Sequence, residues 1–291
     1  MISAELSRHD AGRRLPRSYL YVPGTAPSRF EKAVSSGADA VIFDLEDAVP
    51  VVAKSQARRH VADFLSDPPR DDTVELWVRI NPGSVGLEDL SALGAASALT
   101  GVVQAKANLH DLGLVDTALA NSPLLVSPLI ETPESVLRIQ EILRAPRVTR
   151  VQLGEYDLCA AVGLDPDQDE NETSWARSQV VFACASAEST PPVAPVSIET
   201  RDLDAFRAST DRARRQGFFG RVCIHPRQVP VVQEIFTPSP EAVERARRML
   251  ELFDASVAAG HGATVDESGR MIDEAVVRTA RRTLAGVRQP V

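Results

Sequence analysis

Residues 18–44 read SYLYVPGTAPSRFEKAVSSGADAVIFD. Two short apolar runs, 18–22 and 39–44, flank an amphipathic segment at 27–36, and Gly37 follows that segment where a helix C-cap belongs. The pattern is strand, helix, strand, and it recurs. Apolar runs follow at 74–80 (VELWVRI), 101–106 (GVVQAK), 123–130 (PLLVSPLI), 148–153 (VTRVQL), 191–197 (PPVAPVS) and 220–224 (GRVCI). Helical patterns come after them near 50–65, 88–98, 109–120, 133–144, 174–188, 201–216 and 227–235. Eight strand-then-helix units in series predict an α/β chain folded as a parallel (β/α)8 TIM barrel. An open doubly wound sheet is the alternative, but it usually has fewer strands, and no GxGxxG follows the first run.

Beyond Pro238-Ser239-Pro240 the repeat stops. A helix rich in Arg and Glu (241–258), a turn with Gly260, Gly262 and Gly269, and a last amphipathic helix near 272–285 make up a tail. The expected organisation is therefore a barrel domain over 14–237 and a C-terminal helical extension over 238–291.

Composition excludes several functions. Thirty-two Lys+Arg against 40 Asp+Glu leave a net charge of −8, which argues against nucleic acid bound through bulk charge. Aromatic residues are 5% of the chain, too few for a base-stacking platform. No run approaches the roughly 18 apolar residues of a membrane span, and the charged first residues show no secretory h-region, so a cytoplasmic location is expected. Cys159, Cys184 and Cys223 fit neither a disulfide framework nor a zinc site.

In a barrel the chemistry sits where the strands end. Here those ends carry Asp44 with Glu46 and Asp47, Arg79 with Asn81, Lys106, Glu131, then Glu155 and Asp157, and His225. One such residue is ordinary solvation; six strands out of eight ending this way is a site. Clustered carboxylates without soft ligands call for a hard cation, and Mg2+ needs only one or two protein carboxylates because it keeps several waters. Glu131 and Asp157, on adjacent strands, are the best pair, although Asp157 could instead cap a short helix over 158–162. Arg79, on a stiff apolar strand, is suited to hold a carboxylate in its fork, or to pair with Asp44 or Glu46. Lys54 and Arg58 share a helix face that could equally be solvated. His225, fixed by Pro226, suits either acid/base work or a structural hydrogen bond. No nucleophile elbow or Cys/His pair supports a nucleophilic hydrolase.

These motifs, in this order, resemble the citrate lyase beta subunit-like family of the aldolase/citrate lyase superfamily, with its malyl-CoA and citramalyl-CoA lyases. The matching residues are Arg17-Ser18, Val22-Pro23-Gly24, Arg29-Phe30, Gly37-Ala38-Asp39, Asp44-Leu45-Glu46-Asp47-Ala48-Val49, Lys54, Ala57-Arg58, Val78-Arg79-Ile80-Asn81, Ile130-Glu131-Thr132, Gly154 with Asp157-Leu158, Gly217-Phe218, Gly220 and Ile224-His225-Pro226 with Gln228. The resemblance implies a Mg2+-dependent carbon-carbon lyase acting on a 3-hydroxyacyl-CoA thioester and releasing an acyl-CoA and a 2-keto acid. It implies catalytic roles for Arg79, Glu46, Asp47 and Asp273, with the two acids near Arg79 holding waters of the metal. Substrate binding falls to Arg17, Lys54, Arg58, Arg79, Lys106 and His225, and the metal to Glu131 and Asp157. The tail matches a family lid whose Gly269, Met271-Ile272 and Asp273 bring an acid to a neighbouring subunit, which implies a homotrimer or hexamer. Two positions depart from the pattern: Val193-Ala194 stands where an Ile-Asp pair is usual, and 104–108 (QAKAN) replaces Pro-Lys-Val-Glu around Lys106. Alternatives are a malyl-CoA-type thioesterase, a non-catalytic metal-binding subunit, and an aldolase on free hydroxy-keto acids, for which His60 is a poor base.

Overall fold

A computed structural model describes residues 15–69, 73–94, 96–167 and 169–286. The expected domain start at 14 and the last five residues of the expected tail lie outside these. Within them the chain divides into two compact units, up to Gln233 and from Glu234 onward.

The first unit runs β1 (Ser18–Pro23), α1 (Phe30–Val34), β2 (Ala40–Asp44), α2 (Lys54–Ser66), β3 (Glu75–Ile80), α3 (Gly83–Leu93), β4 (Gly101–Gln104), α4 (Leu109–Ala118), β5 (Leu125–Ile130), α5 (Pro133–Leu137), α6 (Ile139–Ile142), β6 (Gln152–Leu153), α7 (Glu155–Val162), α8 (Ser174–Ser186), α9 (Leu203–Arg215), β7 (Arg221–Cys223) and α10 (Gln228–Phe236). Its seven strands form one parallel sheet, ordered β6-β5-β4-β3-β2-β1-β7. Strands β2, β4 and β5 are buried along their whole length, as a parallel sheet covered by helices requires. One face carries Tyr19, Ala40, Ile42, Trp77, Val103, Leu125, Leu129, Val193 and Val222 as a continuous apolar cluster. The register sets Pro23 beside Asp44 and Asp44 beside Arg79, so the polar ends of three strands meet at one edge of that cluster.

The predicted strands and the observed ones differ in two places, each with a local cause. No strand forms over 191–197. Pro191, Pro192 and Pro195 have no N–H to give a ladder, and only Val193 and Ala194 make isolated parallel bridges, to Gln152 and Arg221 respectively. The sixth strand shrinks to Gln152–Leu153, with a lone bridge from Val148 to Val126. The helix expected near 88–98 begins at Gly83 instead, directly after Pro82, because the chain turns into the helix as soon as the strand ends.

The second unit contains α11 (Pro240–Ala258), an antiparallel pair β8 (Thr264–Val265) and β9 (Met271–Ile272), and α12 (Glu274–Ala285). Ser239 caps α11 by accepting the Ala242 N–H, and Phe253, Ile272 and Val277 make its apolar centre. No helix among the described residues is long and apolar enough to cross a membrane.

Candidate active site

The ends of β2 to β5 bring one charged cluster together. Arg79 forks onto Asp44, Nε to Oδ1 at 2.6 Å and Nη2 to Oδ2 at 2.7 Å, and its Nη1 lies 3.2 Å from Glu46 Oε2. Tyr21 lies under the guanidinium, its ring centroid 4.9 Å from Cζ. Asp44 also accepts the N–H groups of Glu46 and Ala48 at 2.9 and 3.0 Å, which folds the loop after β2 back over the strand end. Lys106 Nζ bonds to Glu46 Oε1 and stands 3.6 Å from Asp47 Oδ1. Arg79 and Lys106 therefore hold Glu46 between them, while the side chain of Asp47, 54% exposed, flanks the same two cations with its Oδ2 3.8 Å from Arg79 Nη1.

Glu131 follows β5 and is 2% exposed. The backbone N–H of Lys106 donates to its Oε1 at 2.6 Å. Space for its carboxylate comes from Gly154: a Cβ there would stand 2.6 Å from both Glu131 Cβ and Oε2. Burial, reinforced by the charge of Asp157, pushes the Glu131 carboxyl up to about 8 against the opposing pull of the Lys106 N–H and the cations. Burial likewise raises Glu46. Asp47 goes the other way, since partial burial is outweighed by its hydrogen bond with Glu46 and by Lys106 and Arg79, which leave it below the usual range.

Asp157 sits in the first turn of α7. Gly154 is the N-cap of that helix, so Asp157 is not its cap, and no hydrogen bond or ion pair ties its carboxylate to another described residue. Glu131 and Asp157 thus present carboxylate oxygens with spare acceptor capacity, an all-oxygen set of the kind a hard cation takes. Among the described residues no group of three or more His, Cys, Asp and Glu side chains is arranged to hold a metal, so any cation here would keep several water ligands.

Other residues expected at the site are placed differently. Arg17, 1% exposed, precedes the start of β1, at the opposite end of the sheet, and pairs there with Asp39. Arg58 turns to α3, where it bonds Asp89 at 2.6 Å and Glu88 at 2.8 Å; the fully buried Asp89 in turn holds the N–H and side-chain amide of Asn81. Lys54 gives its ammonium to the carbonyls of Leu45 and Glu46, at 2.8 and 3.0 Å. Both cations fix the loops that carry the cluster. His225 follows β7 and accepts the Arg227 N–H on Nδ1 at 3.1 Å. Asp273, in the second unit, caps α12 by accepting from Ala275 and Val276, each at 3.0 Å. Tyr21 is the residue here that the sequence reading does not name, whereas Asp44 takes the place beside Arg79 that it expects. Asp44 was legible as the last residue of its strand, and Tyr21 as the residue two after Tyr19 on an alternating strand.

A family model describing HpcH/HpaI aldolase/citrate lyase matches residues 17–226. The chain belongs to the HpcH/HpaI aldolase/citrate lyase family. This agrees with the resemblance carried by the sequence motifs. Among curated relatives of this family member, a (3S)-malyl-CoA thioesterase of Cereibacter sphaeroides is 32% identical over 271 residues, covering 92% of this chain and 93% of the relative. An L-malyl-CoA/beta-methylmalyl-CoA lyase of the same species is 29% identical over 297 residues, covering 91% and 92%. Among solved structures, CitE from Mycobacterium tuberculosis in complex with magnesium, acetoacetate and coenzyme A superposes with a TM-score of 0.76 at 31% identity, over 93% of this chain and 97% of that one.

Proposed function

We propose that this protein is a Mg2+-dependent carbon-carbon lyase that cleaves a 3-hydroxyacyl-CoA thioester, of the citryl, malyl or citramalyl kind, into an acyl-CoA and a 2-keto acid. The observation that carries the reading is the pair Glu131 and Asp157: two carboxylates with acceptor capacity to spare, one of them in a recess that only a glycine at 154 leaves open. The family and the CitE complex with magnesium, acetoacetate and coenzyme A support it. We read the bridges at Val193 and Ala194 as the reduced seventh strand that joins β6 to β7 and closes a (β/α)8 barrel. The segment from 238 onward is read as the lid, and the assembly as a cytoplasmic homotrimer or hexamer.

Mg2+, held by Glu131 and Asp157, would supply a Lewis acid for the keto-acid oxygens. The chain's own residues do the rest. Arg79 is immobilised by Asp44 and Tyr21, so its Nη1 edge, exchanging its contact with Glu46, meets the substrate carboxylate or hydroxyl without first losing rotamer freedom. Lys106 adds a second positive charge on the same side. Glu46 and Asp47 accept hydrogen bonds from waters at the mouth. As the bond between carbons 2 and 3 of the acyl chain breaks, the hydroxyl proton passes to one of the waters held by Glu46 and Asp47, the hydroxyl carbon becomes the keto carbon, and the electron pair stays on the acyl-CoA as an enolate that protonated Asp273 can quench. Asp273, carried by the lid, returns a proton to that carbon.

Thioester hydrolysis is the second reading. It is favoured by the 32% identity to a malyl-CoA thioesterase and by Ala194, where the family pattern has an acid. A panel of malyl-, citramalyl- and citryl-CoA, assayed with Mg2+ for keto acid and for free thiol, separates the two. Equimolar keto acid and acyl-CoA support the lyase; free CoA with an intact hydroxy acid supports the thioesterase. No turnover of any thioester would overturn both.

A further inference from the structure

A second buried charged cluster links α7, α8 and α9, away from the strand-end cations. Arg177 of α8, 1% exposed, forks onto Glu155, the first residue of α7, through Nε to Oε1 and Nη2 to Oε2, the latter at 2.7 Å. Its remaining nitrogen, Nη1, reaches Glu170 Oε2 at 2.9 Å and Gln216 Oε1 at 3.3 Å. Glu170 is itself held by Ser209 Oγ at 2.8 Å and by Arg212 Nε at 3.4 Å, from a left-handed backbone with φ of 57°. Buried Arg221 joins through its Nη1 to the same Ser209 Oγ at 3.0 Å, so the cluster is fixed from several elements at once.

What this cluster grips is the turn that carries Asp157. The start of α7 has no side-chain cap, because Gly154 occupies the cap position. Ahead of the turn the backbone is tied by the Leu153 N–H to the Val193 carbonyl, 3.3 Å, and by the Gly154 N–H to the Ile130 carbonyl, 2.9 Å, directly before Glu131. Tyr156, half exposed, adds a long hydrogen bond to its hydroxyl from the Ile198 N–H at 3.3 Å. Asp157 has no described partner of its own, so its direction is that of the turn. The backbone bonds lie before the turn, the Tyr156 bond is long, and buried Leu158 and Cys159 hold its apolar side; the bidentate fork on Glu155 is the charged hold that sets the polar side of the turn.

We propose that Arg177 is a positioning residue for Asp157: by clamping Glu155 it fixes the first turn of α7 so that the Asp157 carboxylate faces Glu131. The inference rests on the reading of Glu131 and Asp157 as a Mg2+ pair, and the test below keeps the two apart. Removing Arg177 alone would leave Glu155 buried and unpaired, which threatens the fold. The informative variants are therefore Glu155→Gln, which keeps shape and loses the charged fork, and the double variant Glu155→Gln/Arg177→Gln, which removes both charges together.

Mg2+ binding is measured by calorimetry, and amide exchange over 156–158 is followed in the metal-free proteins. Both variants are expected to bind Mg2+ at least tenfold more weakly than wild type and to exchange the first-turn amides faster, with the double variant melting closer to wild type than Glu155→Gln, which leaves Arg177 with Glu170 as its one charged partner. If Glu155 acted only through its negative charge, the double variant would regain wild-type affinity, and that result would overturn the proposal. So would wild-type affinity in both variants. Failure of the wild type to bind Mg2+ would sink the metal reading instead; first-turn exchange then decides on Arg177, and an unchanged rate contradicts the clamp.

Discussion

Lys106 turns its backbone N–H onto Glu131 Oε1 at 2.6 Å from a φ of 47°, in the left-handed region that side chains other than glycine rarely adopt. The same residue sends its ammonium to Glu46. One strand-end residue thus serves two carboxylates, with its main chain on one and its side chain on the other. A strained conformation of this kind typically costs on the order of 1 kcal/mol or more, and here it aims the donor at Glu131.

Replacing Lys106 separates the two roles. Lys106→Gly accepts the backbone without strain and keeps the N–H on Glu131, so thermal stability should hold or rise slightly, while kcat/KM falls at least tenfold for want of the ammonium. Lys106→Ala should lose the same activity and be less stable than the glycine variant by about 1 kcal/mol. Thermal melts beside steady-state kinetics check both, and a glycine variant with full kcat/KM would show that the amine is dispensable.

Gly154 has a φ of −103°, which alanine adopts freely, so any effect of Gly154→Ala comes from contact alone. The added methyl would meet Glu131 Cβ and Oε2 at 2.6 Å, and one or the other must move. Mg2+ affinity is expected to drop at least tenfold. Calorimetry that returns wild-type affinity for the alanine protein would mean that the carboxylate has room to spare.

The pH dependence follows from Glu131. Its carboxyl is raised from an ordinary 4.5 to about 8, so in the metal-free protein the neutral form is preferred on folding. The stability this group contributes is fully present below pH 4.5 and is lost as pH rises through about 8. Mg2+ needs the ionised form, so its binding releases a proton below that pH and its affinity should climb with pH to about 8, then level off. Melting temperatures with EDTA and with saturating Mg2+ at pH 6 and pH 9 test this: the metal-induced rise should be larger at pH 9. Equal rises at both would place the proton elsewhere.

Asp273 is both the cap of α12 and the proposed lid acid. Asparagine caps a helix as well as aspartate does, so Asp273→Asn should leave stability within a few tenths of a kcal/mol while kcat falls roughly 100-fold. The trans arrangement is tested by co-assembling Asp273→Asn with Arg79→Ala. Partial recovery of activity is expected, and none from verified mixed oligomers would put lid and barrel in one chain.

Much of this arrangement could be read from the sequence, because strand ends are marked by a switch from apolar to charged residues, as at Phe43-Asp44 and Ile130-Glu131. Three things could not be read so. Prolines at 191, 192 and 195 break a ladder that the apolar pattern promises, since hydropathy does not count N–H groups. Cation roles depend on side-chain direction: Arg58 and Lys54 lie in the expected helix yet are consumed by Asp89 and by loop carbonyls, and Arg17 stands at the far end of β1. The hold of Arg177 on Glu155 joins residues of different helices, beyond any local pattern.

The pairing of Glu131 with Asp157 bears most of the account, and it is tested most directly by titrating Mg2+ into the wild type and into Glu131→Gln/Asp157→Asn by calorimetry. Both substitutions keep shape and the Lys106 N–H contact can persist on the amide oxygen, so the double variant should fold normally. The wild type should bind one Mg2+ per chain and the variant none that is measurable. Equal Mg2+ affinity in the two folded proteins would contradict the assignment of the site.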